Sequence, residues 1–163
     1  MKNEDYTIII DTREQQPWEF SHYTTASKKL DTGDYSIDGL QDIIAIERKK
    51  SVSEIATNIV EPRFKDVIDR LKTVKYPFIL LEFSLKDVLI YPIGSNVPRH
   101  MWDKIKISST FILKNITDWE LEHNIKVFFC GSASNAEKLA TYLFNKIYFK
   151  EIKSKQKDKK DEA

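Results

Sequence analysis

The run Phe78-Ile79-Leu80-Leu81 constrains this chain more than any other feature. Within Tyr76–Phe83 it reads as a strand buried on both faces, because no polar residue marks a wet side. Such a strand needs helices above and below it, and the sequence supplies them. Val52–Val60 is apolar at 52, 55, 56, 59 and 60, which is helical spacing. Glu61-Pro62 interrupts it, and Pro62 can open a second helix to about Lys75 that buries Phe64, Val67, Ile68 and Leu71. Apolar positions 101, 105, 112, 116 and 119 predict a long helix over Met101–Glu122. Asn135–Phe149 is the cleanest amphipathic helix, with 136, 139, 140, 143, 144 and 147 on one face. Tyr6–Asp11, Asp34–Ile37, Ile43–Arg48 and Ile125–Cys130 read as further strands, the middle two joined through the turn signal Asp38-Gly39. Residues 12–29 read as a loop and a short irregular element, and 84–100 as mixed, loop-rich chain. Strands first, then alternating helices and strands, predict an α/β/α sandwich around a central mixed sheet.

The 163 residues suit one domain with a substantial core, expected over 1–149. Residues 150–163 hold six lysines, four acids and almost nothing apolar, so a disordered tail is expected there. Without the tail, 20 basic and 21 acidic residues leave a charge of −1. Any nucleic-acid surface must then come from focused basic groups rather than bulk charge. The single cysteine, Cys130, excludes an intrachain disulfide and ends an apolar run, where a buried, inert thiol is expected. A charged start and short apolar runs predict no membrane partner and an intracellular protein, cytoplasmic in a prokaryote or phage. His22, His100 and His123 are scattered in polar segments without metal-ligand spacing.

Asp34 and Glu47-Arg48-Lys49 carry the chemistry. A hairpin folded about residues 40 and 41 sets Asp34 opposite Glu47, with Cβ atoms roughly 5 Å apart. Glu47 and Lys49, two apart on a strand, share a face, and Arg48 takes the other. Two acids held together repel unless a cation lies between them. Oxygen ligands for a hard divalent ion, with an ammonium beside them, are what phosphodiester hydrolysis requires. Asp11, at the end of the first strand, stands where functional groups collect in α/β sheets, although capping the following turn accounts for it equally well. Tyr6, Trp18, Tyr23 and Tyr35 can either stack on unpaired bases or pack in the core, with packing the commoner fate.

Ile10-Asp11-Thr12-Arg13-Glu14, Gly33-Asp34-Tyr35 and Ile46-Glu47-Arg48-Lys49 resemble the three signatures of the XPF-type nuclease domain, a branch of the PD-(D/E)XK superfamily with a restriction-endonuclease-like fold. Pro62-Arg63-Phe64 is similar to the family's Gly-Arg-Phe/Leu at a helix start, and Tyr76–Phe83 to its core strand. The resemblance implies an endonuclease that uses Mg²⁺, or Mn²⁺ in its place, to cut branched DNA near duplex/single-strand junctions. It makes Asp11, Asp34 and Glu47 the metal ligands and Lys49 the catalytic lysine. Arg13, Arg48 and Arg63 would support the site or meet phosphates, with Glu14 and Glu54 as secondary candidates. Glu54 lies one residue later than the family's acid, which keeps it outside the core set. The family's tandem helix-hairpin-helix module is missing from this sequence, so a separate DNA-binding partner protein is one expectation and a self-sufficient short form another. The family also implies a homodimer through the C-terminal elements, and Tyr142, Tyr148 and Phe149 look surplus to the buried stripe of the last helix. A non-catalytic DNA-binding or scaffolding subunit, and a resolvase or restriction-type nuclease, are the competing readings.

Overall fold

The computed structural model describes residues 3–163. Six strands form one sheet in the order β2-β1-β3-β4-β5-β6. They are β1 (Asn3–Asp11), β2 (Tyr23–Lys28), β3 (Tyr35–Ile37), β4 (Ile44–Lys49), β5 (Tyr76–Leu81) and β6 (Lys126–Phe129). Only β3 runs against its neighbours; β1 with β2, and β4 with β5 and β6, pair in parallel. All the parallel strands therefore end at the same edge of the molecule, where Asp11, Lys49 and Leu81 stand.

Helices cover both faces, as the doubly buried β5 requires. α1 (Val52–Ile59), α2 (Pro62–Leu71), α3 (Leu85–Leu89) and α4 (Ser109–His123) follow in chain order, and α5 (Ala133–Asp161) ends the chain. Ala45, Ile79 and Leu81 pack with Ile55, Phe64, Ile68, Val88, Ile112 and Trp119 on one side. Ile44, Ile46, Phe78 and Leu80 pack with Trp18, Tyr35, Ala140, Phe144 and Ile147 on the other. The predicted α/β/α sandwich and mixed sheet are what the chain adopts. The period-two alternation of β4 and β5 sends successive residues into different cores.

Four local expectations need correction. Residues 23–28 form an edge strand rather than an irregular element. Its sequence Tyr-Thr-Thr-Ala-Ser-Lys is largely exposed, so no apolar alternation announces it. The long helix expected over 101–122 is two pieces, a 3₁₀ segment at Arg99–Lys104 and α4. Ser108 separates them, its Oγ accepting from Phe111 N–H at 3.2 Å as an N-cap. Within 84–100, Ser84 and Asp87 close a reciprocal capping box on α3. The expected disordered tail continues α5 through Asp161. Composition describes a segment that must nucleate its own helix; here the docked first half of α5 has already nucleated it, and no Gly or Pro stops propagation.

Tyr148 is not an outward aromatic either. Its ring lies 4.7 Å from Tyr6, and its hydroxyl donates to Asp5 O at 2.7 Å. Of the aromatics on that helix, Tyr142 and Phe149 are the exposed ones. Trp18, Tyr35 and Tyr6 are buried and Tyr23 is half-buried against them, so these rings serve the core. Cys130 is half-buried rather than buried, and burial pushes its thiol up.

The division of labour in α5 is measurable by thermal unfolding. Phe144→Ala removes a fully buried ring between α5 and the sheet, a loss of about 3–5 kcal/mol, and lowers Tm by roughly 10 °C. Deleting 153–163 removes only exposed residues; helical ellipticity falls while Tm stays within a degree or two.

Candidate active site

Gly33 creates the approach on which the site depends. Its φ of +77° is open to glycine, and a Cβ there would stand 3.0 Å from Ile46 O. β3 can therefore press against β4, with Tyr35 opposite Ile46 and Asp34 N–H donating to Ile46 O at 2.8 Å. This register places Asp34 beside Glu47, as the hairpin arithmetic anticipates. The Asp34 carboxylate then accepts from Arg48 N–H at 2.7 Å.

On the α1 side of β4, Lys49 Nζ lies 3.3 Å from Glu47 Oε1 and 3.9 Å from Glu54 Oε1. Asn58 Oδ1 accepts from the same ammonium at 2.7 Å, and the Phe64 ring centroid is 4.8 Å from Nζ. Glu54 belongs to the first turn of α1, where it accepts from Lys50 N–H while Ser51 Oγ caps Glu54 N–H. The helix start thus brings Glu54 to the cluster despite its offset in sequence.

Arg48 points to the opposite face. Its Nε donates to Glu82 at 2.7 Å and its Nη1 to Gln16 O at 2.7 Å, with Glu14 and the Tyr35 hydroxyl each at 3.3 Å. The Trp18 ring covers the guanidinium at 4.9 Å, and Trp18 Nε1 donates to Glu82. Arg48 is fully engaged and supports the site from behind; Glu14 belongs to this network.

Asp11 has a different fate from the other acids. One oxygen accepts from Leu30 N–H at 2.8 Å, and the other takes the Arg13 guanidinium at 2.7 Å. Burial pushes the Asp11 carboxyl up, but the Arg13 hydrogen bond and charge and the Leu30 N–H together hold it below its ordinary value. Asp34 behaves oppositely. Burial and then the Glu47 charge push it well above the usual carboxylate range, against the opposing pull of Arg48 N–H. Glu47 is raised chiefly by burial and also by Glu54 and Glu14, with Lys49 resisting.

Among the described residues no three Asp, Glu, His or Cys side chains converge as a ready-made metal cage. The structure brings Asp34 and Glu47 together and leaves Asp11 turned to Arg13. An all-oxygen pair of raised, mutually repelling carboxylates nonetheless fits a hard divalent cation, because Mg²⁺ needs only one or two carboxylates and completes its shell with water and phosphate. Glu47 opens onto a cleft of about 220 Å³ bordered also by Lys49, Asn58, Arg13, Arg63 and Arg70. Arg63 is exposed, pairing only loosely with Glu61 at 3.4 Å.

Sequence reasoning missed Asn58, Glu82 and Arg70. Asn58 falls between apolar helix positions and carried no signal. Glu82 did: an acid directly after a buried apolar run must have a partner. Arg70 is seven residues beyond Arg63, two helical turns along the same face of α2.

Residues 10–143 match the ERCC4 domain. The chain belongs to the ERCC4 domain family, the XPF-type nuclease domain. It is similar to the 3'-flap repair endonuclease Xpf of Saccharolobus solfataricus, with 26% identity over 132 residues, covering 80% of this chain and 49% of that protein. Two solved structures share the fold, XPF from Aeropyrum pernix alone (TM-score 0.60) and in complex with DNA (0.63), both at 20% identity. Alignment covers 82% and 86% of this chain and 60% and 64% of those chains respectively. The chain spans about half the length of the curated relative it matches.

The raised Asp34 and Glu47 set a sign for stability. Native carboxyls titrating above their unfolded values bind more protons than the unfolded chain. Their contribution is complete below the unfolded values, about 3.9 for an Asp and about 4.3 for a Glu, and is lost as pH rises through the native values. Asp34→Asn should therefore raise the Tm of metal-free protein at pH 7, with the gain vanishing near pH 4, as calorimetry at both pH values will show.

Proposed function

We propose that this chain is a divalent-metal-dependent DNA endonuclease that hydrolyses phosphodiester bonds in branched DNA near duplex/single-strand junctions. The observation that carries the reading is the placement of Asp34 and Glu47 side by side at the strand ends with Lys49 between Glu47 and Glu54. The 3'-flap activity in the relative's name favours a flap or fork over plain duplex.

Asp34 and Glu47 would hold the ion, Mg²⁺ or Mn²⁺. When bound, such an ion lowers the pKa of its water and neutralises charge on the scissile phosphate. Lys49 directs a hydrogen bond at the attacking water or a non-bridging oxygen, where negative charge grows as the new P–O bond forms and the P–O bond to the sugar breaks. Arg63 and Arg70 hold backbone phosphates along α2. Arg13, now on Asp11, is near enough to Asp34 and Glu47 for their charges to act on it, so it can follow an arriving phosphate. A scaffold without chemistry would gain nothing from two adjacent, repelling acids. We also propose a homodimer, for which the exposed Tyr142 and Phe149 are the available aromatics on α5.

A panel of flap, fork, nicked, four-way and plain duplex DNAs with Mg²⁺ tests the activity. Asp34→Asn, Glu47→Gln and Lys49→Ala should each lower kcat roughly a hundredfold or more with little change in DNA affinity. Full cleavage by any of them would refute that residue's role. Arg63→Ala should instead weaken binding and reduce the slope of log K against log salt by about one phosphate contact. An unchanged slope would remove Arg63 from the DNA path.

A further inference from the structure

Lys49 sits on a long, flexible stem among carboxylates, and an ammonium so placed is drawn to the nearest acid. Tight pairing with Glu47 would occupy oxygens that an incoming cation needs. Yet its shortest contact is with neither Glu47 nor Glu54, at 3.3 and 3.9 Å, but with the neutral Asn58 amide at 2.7 Å. Only the amide oxygen can accept from an ammonium, so the orientation of Asn58 is fixed by its partner. α1 holds Asn58 rigidly: Ser51 caps the helix, and Ile55 and Ala56 are buried beneath it. The Phe64 ring, 4.8 Å from Nζ, adds a second uncharged attraction. Lys49 is itself only 7% exposed, so little water is available to replace the amide.

We propose that Asn58 is a positioning residue for this nuclease: its amide oxygen holds the Lys49 ammonium away from close pairing with Glu47 and aims it into the cleft. The inference rests on the nuclease reading of the same site. An ammonium has three donors. Asn58 takes one, and Glu47 stands 3.3 Å away as an ion-pair partner, so a donor is left for the water or phosphate oxygen. A neutral acceptor does this without adding charge where Asp34 and Glu47 already repel. A carboxylate at position 58 would instead compete for the cation and bind the lysine more tightly.

A double-mutant cycle with the full chain, Mg²⁺ and a flap DNA tests the proposal. Asn58→Ala should lower kcat about tenfold, the scale of a lost hydrogen bond to a charged group, with KM unchanged. In a Lys49→Ala background the same change should have no further effect, because Asn58 acts only through Lys49. Independent multiplication of the two losses would overturn the proposal, as would wild-type kcat in Asn58→Ala. A metal-free readout stands beside it. In ¹⁵N-lysine-labelled protein the Lys49 ammonium should give an exchange-protected ¹H–¹⁵N signal that Asn58→Ala abolishes; a signal retained in the variant overturns the proposal. If Lys49→Ala itself cleaves normally, the nuclease role of Lys49 fails and this inference with it. Loss in Lys49→Ala without loss in Asn58→Ala overturns the inference alone.

Discussion

The Arg48 guanidinium is the interaction on which the rest of the site depends. It is buried on the α5 side of β4, and it joins Glu82 after β5, Glu14 and Gln16 from the loop after β1, and the Tyr35 hydroxyl of β3. Four separate segments meet at one planar cation, with Trp18 stacked at 4.5 Å on Tyr35 above it. Breaking such a buried pair by removing one partner costs about 3–5 kcal/mol, because the other charge is left stranded. Its backbone N–H, meanwhile, holds the Asp34 carboxylate. One residue thus secures the frame from behind and orients an acid in front.

The front of β4 is built for the opposite electrostatic condition. Glu47 and Lys49 project where Asp34 and Glu54 also gather, and burial with mutual repulsion raises Asp34 and Glu47. Asp11, by contrast, is satisfied by Arg13 and Leu30. The site therefore carries a penalty that a divalent ion would relieve and a third acid already neutralised by its own arginine. Stability sits on one face of the strand and unmet charge on the other. Functional sites of this kind break the local rules that the surrounding fold obeys.

Much of this was legible in the residues. The doubly apolar run of β5 requires two helical layers, and the two-residue period of β4 separates Glu47 and Lys49 from Arg48. A connection centred on residues 40 and 41 sets the register that brings Asp34 to Glu47. Elsewhere the sequence was silent or misleading for identifiable reasons. β2 is a polar edge strand, held by its pairing with β1 rather than by a buried face. The tail of α5 propagates from a nucleus formed far from it. Asn58 matters through its reach to Lys49 across α1 and β4, a tertiary contact that no one-dimensional spacing encodes. Asp11 matched a motif, but a motif could not show that Arg13 would occupy its carboxylate.

The central claim is that Asp34 and Glu47 form a site for a hard divalent cation. Calorimetric titration of Mn²⁺ into metal-free protein near pH 6 measures binding directly. Saturable Mn²⁺ binding is expected in the wild type, and it disappears in Glu47→Gln. Absence of saturable binding in the wild type, or equal binding in the variant, would contradict the account.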